Sequence, residues 1–149
     1  MAAEGEFPKV AGDTMFASEY NRIDILSATA TFNGSDATAS STFSDTSSTV
    51  TLSGLTAAHN YTFFALVTGT ADAGGGNVIN ARLVIGSTNT SQSRVTGIVS
   101  PLSLSGTLKS QTGVTSITAK VQFSNNDNST TVNWGDNKNV VITIFALKE

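Results

Sequence analysis

The chain reads as an all-β protein, a single jelly-roll-like sandwich of about eight antiparallel strands preceded by a short N-terminal arm with a helical turn. Three observations predict this. Apolar residues alternate with polar ones at period two, most clearly at Ile117, Ala119, Val121 and Phe123 and again at Val141, Thr143, Phe145 and Leu147. Turn-rich segments, such as Asn33-Gly34-Ser35-Asp36, Gly74-Gly75-Gly76-Asn77 and Ser124 to Asn128, punctuate the runs. Serine and threonine make up roughly a quarter of the 149 residues, and a branched Thr Cβ packs well on a pleated surface.

Taken in order, residues 1–23 form the arm and residues 24–149 the sandwich domain. In the arm, Phe7-Pro8 and Gly12-Asp13 punctuate an extended stretch. Met15, Phe16, Tyr20 and Ile23 then fall at a spacing that fits one or two helical turns. So short a helix is not stable alone and needs something to dock on. From Asp24 onward the period becomes two, with strands expected near 24–32, 49–53, 60–69, 78–86, 94–99, 102–108, 114–123 and 138–147. Eight short strands at this spacing indicate a two-sheet sandwich or jelly roll. Segment 36–48 is low in complexity and reads equally as an exposed loop or a Thr-rich edge strand, with Phe43 favouring order. Leu52-Ser53-Gly54-Leu55 followed by Tyr61 is similar to the tyrosine corner of fibronectin type III domains. The usual Pro is missing, so it is read as a generic sandwich corner, with Tyr61 packed over a turn and its hydroxyl on backbone.

Composition narrows the function. Charged residues are 13% of the chain, against about 25% in an ordinary soluble domain. The net charge of −3 and eight scattered basic residues argue against a nucleic-acid partner. The longest apolar runs, such as Phe63 to Val67, fall far short of the roughly 18 residues of a membrane-spanning helix. There is no cysteine, hence no disulfide framework, no thiolate metal site and no clue to redox compartment. The acidic start, Met1 to Phe7, does not read as a signal peptide, so a protein working outside a cell is expected to leave by another route, such as lysis with a virus particle.

Catalytic chemistry is not signalled, and no enzyme activity or cofactor is expected. His59 is the sole histidine, has no positioned nucleophile, and reads as a turn residue. Asp45, Asp72, Asp127 and Asp136 fall in expected loops, where Asp serves turn geometry. Asn125-Asn126-Asp127-Asn128, with Asp136 nearby, offers oxygens suited to calcium, but the EF-hand spacing is absent and an ordinary hairpin loop is preferred. Gly74-Gly75-Gly76 lacks the Lys-Ser/Thr of a phosphate loop. Trp134, in Asn133-Trp134-Gly135-Asp136, has two readings: an exposed Trp that fills a partner's pocket, or, preferred, a Trp that covers one open end of the sandwich. If displayed loops recognise a receptor, Trp134 and Asn125, Asn126, Asp127 and Asn128 are the expected contacts.

The arm, with Gly12-Asp13, Met15-Phe16 and Ala17-Ser18-Glu19-Tyr20-Asn21, resembles the N-terminal attachment segment of tailed-phage fibre and appendage proteins. The remainder resembles the jelly-roll modules that often follow it, in Tyr61 to Val67, Asn80 to Gly86, Ser103 to Gly106, Ile117 to Phe123 and Val140 to Leu147. The resemblance implies a non-enzymatic virion surface subunit, either a tail-fibre or receptor-binding piece or a capsid decoration protein, displayed outside the particle. It implies a homotrimer and contacts with other virion proteins. It also implies an attachment interface that includes Phe7, Pro8, Met15, Phe16 and Tyr20; from the arm's apolar load, Phe7 and the residues before Gly12 are expected to dock outside their own subunit, while Tyr20 and Ile23 cap the base of the sandwich. A host surface glycan or protein would be the receptor. The alternative is an extracellular carbohydrate-binding or adhesion module of cellular origin.

Overall fold

The computed structural model describes residues 25–73, 77–96, 100–126, 131–135 and 138–149. The arm, with Phe7, Pro8, Met15, Phe16 and Tyr20, lies outside them. Ten strands are present among the described residues: β1 (Ile25–Phe32), β2 (Asp36–Thr38), β3 (Ser44–Ser53), β4 (Tyr61–Asp72), β5 (Val78–Ile85), β6 (Thr88–Thr96), β7 (Ser100–Gln111), β8 (Ser116–Asn125), β9 (Val132–Trp134) and β10 (Val140–Lys148). They form two antiparallel sheets, and all residues in regular structure among those described are strand.

Sheet A has six strands in four lanes. β10 and β9 pair one after the other along the same edge of β4, while β1 pairs β10 and β2 pairs β9. β7 covers the other edge of β4. The lane order is therefore β1/β2, β10/β9, β4, β7, and it faces sheet B in the order β3-β8-β5-β6. Counted as lanes along the chain, the sheets read 1-8-3-6 and 2-7-4-5, the double Greek key of a jelly roll. The expectation of about eight antiparallel strands is met at the level of lanes.

Two lanes break side by side. The outer one breaks at 33–35 and its neighbour after Trp134. There Gly135 has φ +86°, and a Cβ would press on the Gly34 carbonyl oxygen at 2.5 Å, so only glycine fits. The Gly135 N–H donates to Thr70 O at 2.9 Å and the Thr70 hydroxyl donates back to Gly135 O at 3.0 Å, which keeps the broken lane tied to β4.

The core lies between the inner faces. Phe63, Ala65 and Val67 of β4 and Ile142, Ile144 and Ala146 of β10 meet Ile79, Ala81 and Leu83 of β5 and Ala119, Val121 and Phe123 of β8. Each set is spaced by two, so alternation in sequence became inside and outside in space.

Three expectations need correction. The strand expected near 94–99 is β6, which starts at Thr88; residues 86–87 form a two-residue hairpin, with Gly86 at φ +61°. Only Val95 of β6 is fully buried, so the apolar signal on this polar edge strand was nearly silent. The strand expected at 49–53 begins at Ser44, and the low-complexity segment is partly loop and partly β2 and β3. Its order rests on hydroxyl groups. Asp36 accepts from both the N–H and the hydroxyl of Ser47, at 2.7 and 2.8 Å. Where β3 bulges away from β8, the buried Thr46 hydroxyl donates to Val121 O at 3.0 Å. The short strand β9 was not expected.

Candidate assembly surface

The register places side chains on the outer face of sheet A in rows. One row runs Ser27, Phe145, Phe64, Thr107; the next runs Thr29, Thr143, Leu66, Ser105; a third runs Thr31, Val141, Thr68, Ser103. Ile25 and Leu147 open the face at its near end, opposite Thr62. The sequence reason is that β4 and β10 carry apolar residues on both parities. Phe63, Ala65 and Val67 fill the core, while Phe64 and Leu66 point outward.

That surplus is exposed. Ile25 keeps 60% of its surface, Leu66 51% and Phe64 41%. Ile25, Phe64, Phe145 and Leu147 line a shallow, wholly apolar depression of about 310 Å³. Farther along the face the Thr29 and Thr143 hydroxyls are joined at 3.0 Å, and at its near end the Thr62 hydroxyl donates to the Glu149 carboxylate. A contiguous apolar patch rimmed by hydroxyls suits a protein contact.

The outer face of sheet B differs in kind. Asp45, Gln122, Arg82 and Gln92 form one row across all four strands. Gln122 donates to Asp45 Oδ1 at 2.6 Å, Arg82 Nε donates to Gln122 Oε1 at 2.8 Å, and Lys120 donates to Asp45 Oδ2 at 2.7 Å. The Arg82 guanidinium lies over the Phe43 ring, 4.1 Å from its centroid. The bonds from Lys120 and then Gln122 hold the Asp45 carboxyl below its ordinary pKa.

The expected receptor contacts are not brought together at the surface. Trp134 is fully buried, and its indole N–H donates to the Ser48 hydroxyl at 2.8 Å. Asn125 is fully buried as well. Neither side chain can meet a partner without opening the sandwich, so both are withdrawn as contacts. In the Trp134 case the preferred reading, a Trp closing the sandwich, describes its place. Asn126 is exposed, and Asp127 and Asn128 lie outside the described residues. Tyr61 is buried and accepts the Thr56 N–H on its hydroxyl at 3.0 Å, the corner expected from sequence. His59 closes the turn before β4, its N–H donating to Thr56 O at 3.0 Å. Among the described residues no three of His, Asp or Glu lie close enough to hold a metal ion.

The sequence reading missed the apolar face. Its signal was there in Phe63-Phe64-Ala65-Leu66-Val67: a strand with one wet face should alternate, and this run does not.

No known protein family matches the chain, and no curated protein matches it. Among solved structures, the chain is similar to one described as "EclA C-terminal domain; sugar-binding protein", with a TM-score of 0.38 and 15% identity, over 79% of this chain and 76% of that one.

Proposed function

We propose that this protein is a non-catalytic subunit of a virion surface, which packs through the outer face of sheet A and displays the rest of its jelly roll. The carrying observation is the apolar corner formed by Ile25, Phe64, Leu66, Phe145 and Leu147 on an otherwise hydroxyl-covered face. Fully burying a Leu, Ile or Phe side chain contributes about 1.5–3 kcal/mol, so covering these half-exposed groups stabilises an assembly appreciably. A jelly roll, the resemblance of the arm to phage attachment segments and the absence of any signalled acid–base constellation support the virion setting. A homotrimer is the assembly this reading favours.

The setting is tested by probing intact particles, released by lysis of the source that makes this chain, with an antibody against it. Label on the particle exterior is expected. Recovery of the chain solely in the particle-free fraction overturns the virion setting. A second reading, a carbohydrate-binding or adhesion module, draws on the row of Asp45, Gln122 and Arg82 beside Phe43. It expects binding on a glycan array that Arg82→Ala abolishes.

A further inference from the structure

Resting on the carbohydrate-binding reading of sheet B, and not on the assembly of sheet A, we propose that the recess between Arg82 and β6 binds an acidic sugar. The Arg82 guanidinium grips the sugar's carboxylate, and Asn89 and Gln92 take its ring hydroxyls.

A bulge in β6 builds the site. Opposite β5, Ser91 pairs with Leu83 and Asn89 with Val84, so Thr90 is an extra residue. Its hydroxyl donates to Leu83 O at 3.1 Å and pins the bulge. Residues three apart on a regular strand point to opposite faces. Here the extra residue brings Asn89 and Gln92 to the same face, because Gln92 pairs with Arg82 and Asn89 with Val84, two residues along β5. Val84 stands outside the core cluster, as an outer-face position should. Arg82, Asn89, Thr90, Ser91 and Gln92 line an open recess of about 210 Å³. Pockets for drug-sized ligands begin at roughly 300 Å³, so this recess suits a single sugar unit.

The chemistry of the lining selects an anion. Arg82 is held from two sides, its Nε donating to Gln122 Oε1 at 2.8 Å and its guanidinium lying over the Phe43 ring. Its two terminal nitrogens have no hydrogen-bond partner among the described residues. They form a planar fork that matches the two oxygens of a carboxylate. The exposed Asn89 and Gln92 amides, also without partners among the described residues, offer donors and acceptors to hydroxyl groups. Among the described residues the outer face of sheet B carries Lys120, Arg82 and Arg94 against Asp45. Asp45 is taken up by Lys120 at 2.7 Å and by Gln122, which stands between it and Arg82. Asp36, beside β3, is held by Ser47. Arg82 and Arg94, two residues beyond Gln92 on β6, are left in surplus and favour a negative guest.

The test is a nuclear magnetic resonance titration of the isotope-labelled full chain. The probes are glucuronate and N-acetylneuraminate, their neutral counterparts glucose and N-acetylneuraminic acid methyl ester, a sulfated glucose, and acetate. At least one acidic sugar should give saturable shifts at the Arg82 Nε–H and the Asn89 and Gln92 amides. Its affinity should exceed that of its neutral counterpart and of acetate at least tenfold. Arg82→Lys keeps the charge and loses the fork, so binding should weaken tenfold or more. Gln92→Ala, outside the Asp45–Gln122–Arg82 bonds, should weaken it severalfold at an unchanged melting temperature. Full binding by Arg82→Lys overturns the proposal. So does acetate binding as tightly as the sugar, which marks a bare carboxylate site, or tighter binding of the sulfated glucose. A neutral counterpart that binds as tightly overturns the carboxylate inference and leaves the carbohydrate reading standing. No shift with any sugar overturns both.

Discussion

At the scale of single residues, buried hydroxyl and indole groups hold the parts of the sandwich that lack apolar alternation. Ser48 and Trp134 are the clearest pair. Trp134→Ala removes a fully buried indole and strands the Ser48 hydroxyl, so a loss of about 3–5 kcal/mol is expected, measured by denaturant unfolding. Trp134→Phe keeps most of the packing, yet leaves Ser48 without its donor, at a cost of about 1–3 kcal/mol for the orphaned group. Adding Ser48→Ala to Trp134→Phe should recover part of that loss; no recovery would show that the hydrogen bond is not the cause. Asp45 supplies a pH dependence. Its folded-state pKa is lowered by Lys120 and Gln122, so its contribution is complete above the ordinary Asp range and is lost as the pH falls through the lower folded value. The pair is exposed, so the effect is small. The wild type should lose slightly more stability than Asp45→Asn when acidified from pH 6 to pH 3, and equal slopes would remove Asp45 from the account.

At the scale of elements, strands with a clear inside and outside were legible. Residues 117–123 and 141–147 alternate because one face packs the core, and both appear where expected, in β8 and β10. What failed was strand formation without apolar residues. β6 and the start of β3 are edge strands whose inward positions hold Ser and Thr, and β2 and β9 are three-residue pieces of lanes that break at Gly34 and Gly135. Their order depends on partners distant in sequence, such as Val121 for Thr46, which a local pattern does not carry. The close approach of β6 to β7 gives a sharp test. A Cβ on Gly106 would collide with the Thr90 side chain and crowd Leu83. Gly106→Ala should therefore destabilise by about 1–3 kcal/mol as an overpacking change, and a neutral result would place β6 further from β7 than described. The arm has its own test. Among the described residues the core cluster runs from Val50 to Ala146, and deletion of residues 1–12 should leave a folded domain by circular dichroism. Unfolding on that deletion would make the arm a core element.

At the scale of the whole molecule, the two faces divide the work. Sheet B's outer face is a polar row whose members hydrogen-bond one another, and sheet A's outer face carries an apolar corner with no cover among the described residues. The candidate site was half legible in sequence. The arm's apolar load was evident from Phe7, Met15, Phe16, Tyr20 and Ile23, but the apolar face of sheet A depends on which parity of β4 and β10 faces outward. Topology settles that, since β3, β5, β6 and β8 cover only one side of sheet A. Trp134 stands among turn-like neighbours, and its lane carries it between the sheets, in keeping with the preferred reading of a Trp that closes the sandwich. The most direct measurement is multi-angle light scattering on the full-length chain beside Leu66→Asp, a substitution at a half-exposed position that leaves the core untouched. A trimer that Leu66→Asp converts to a folded monomer is the expected result. A wild type that stays strictly monomeric at high concentration, or a trimer indifferent to Leu66→Asp, would contradict the claim that this face holds the subunits together.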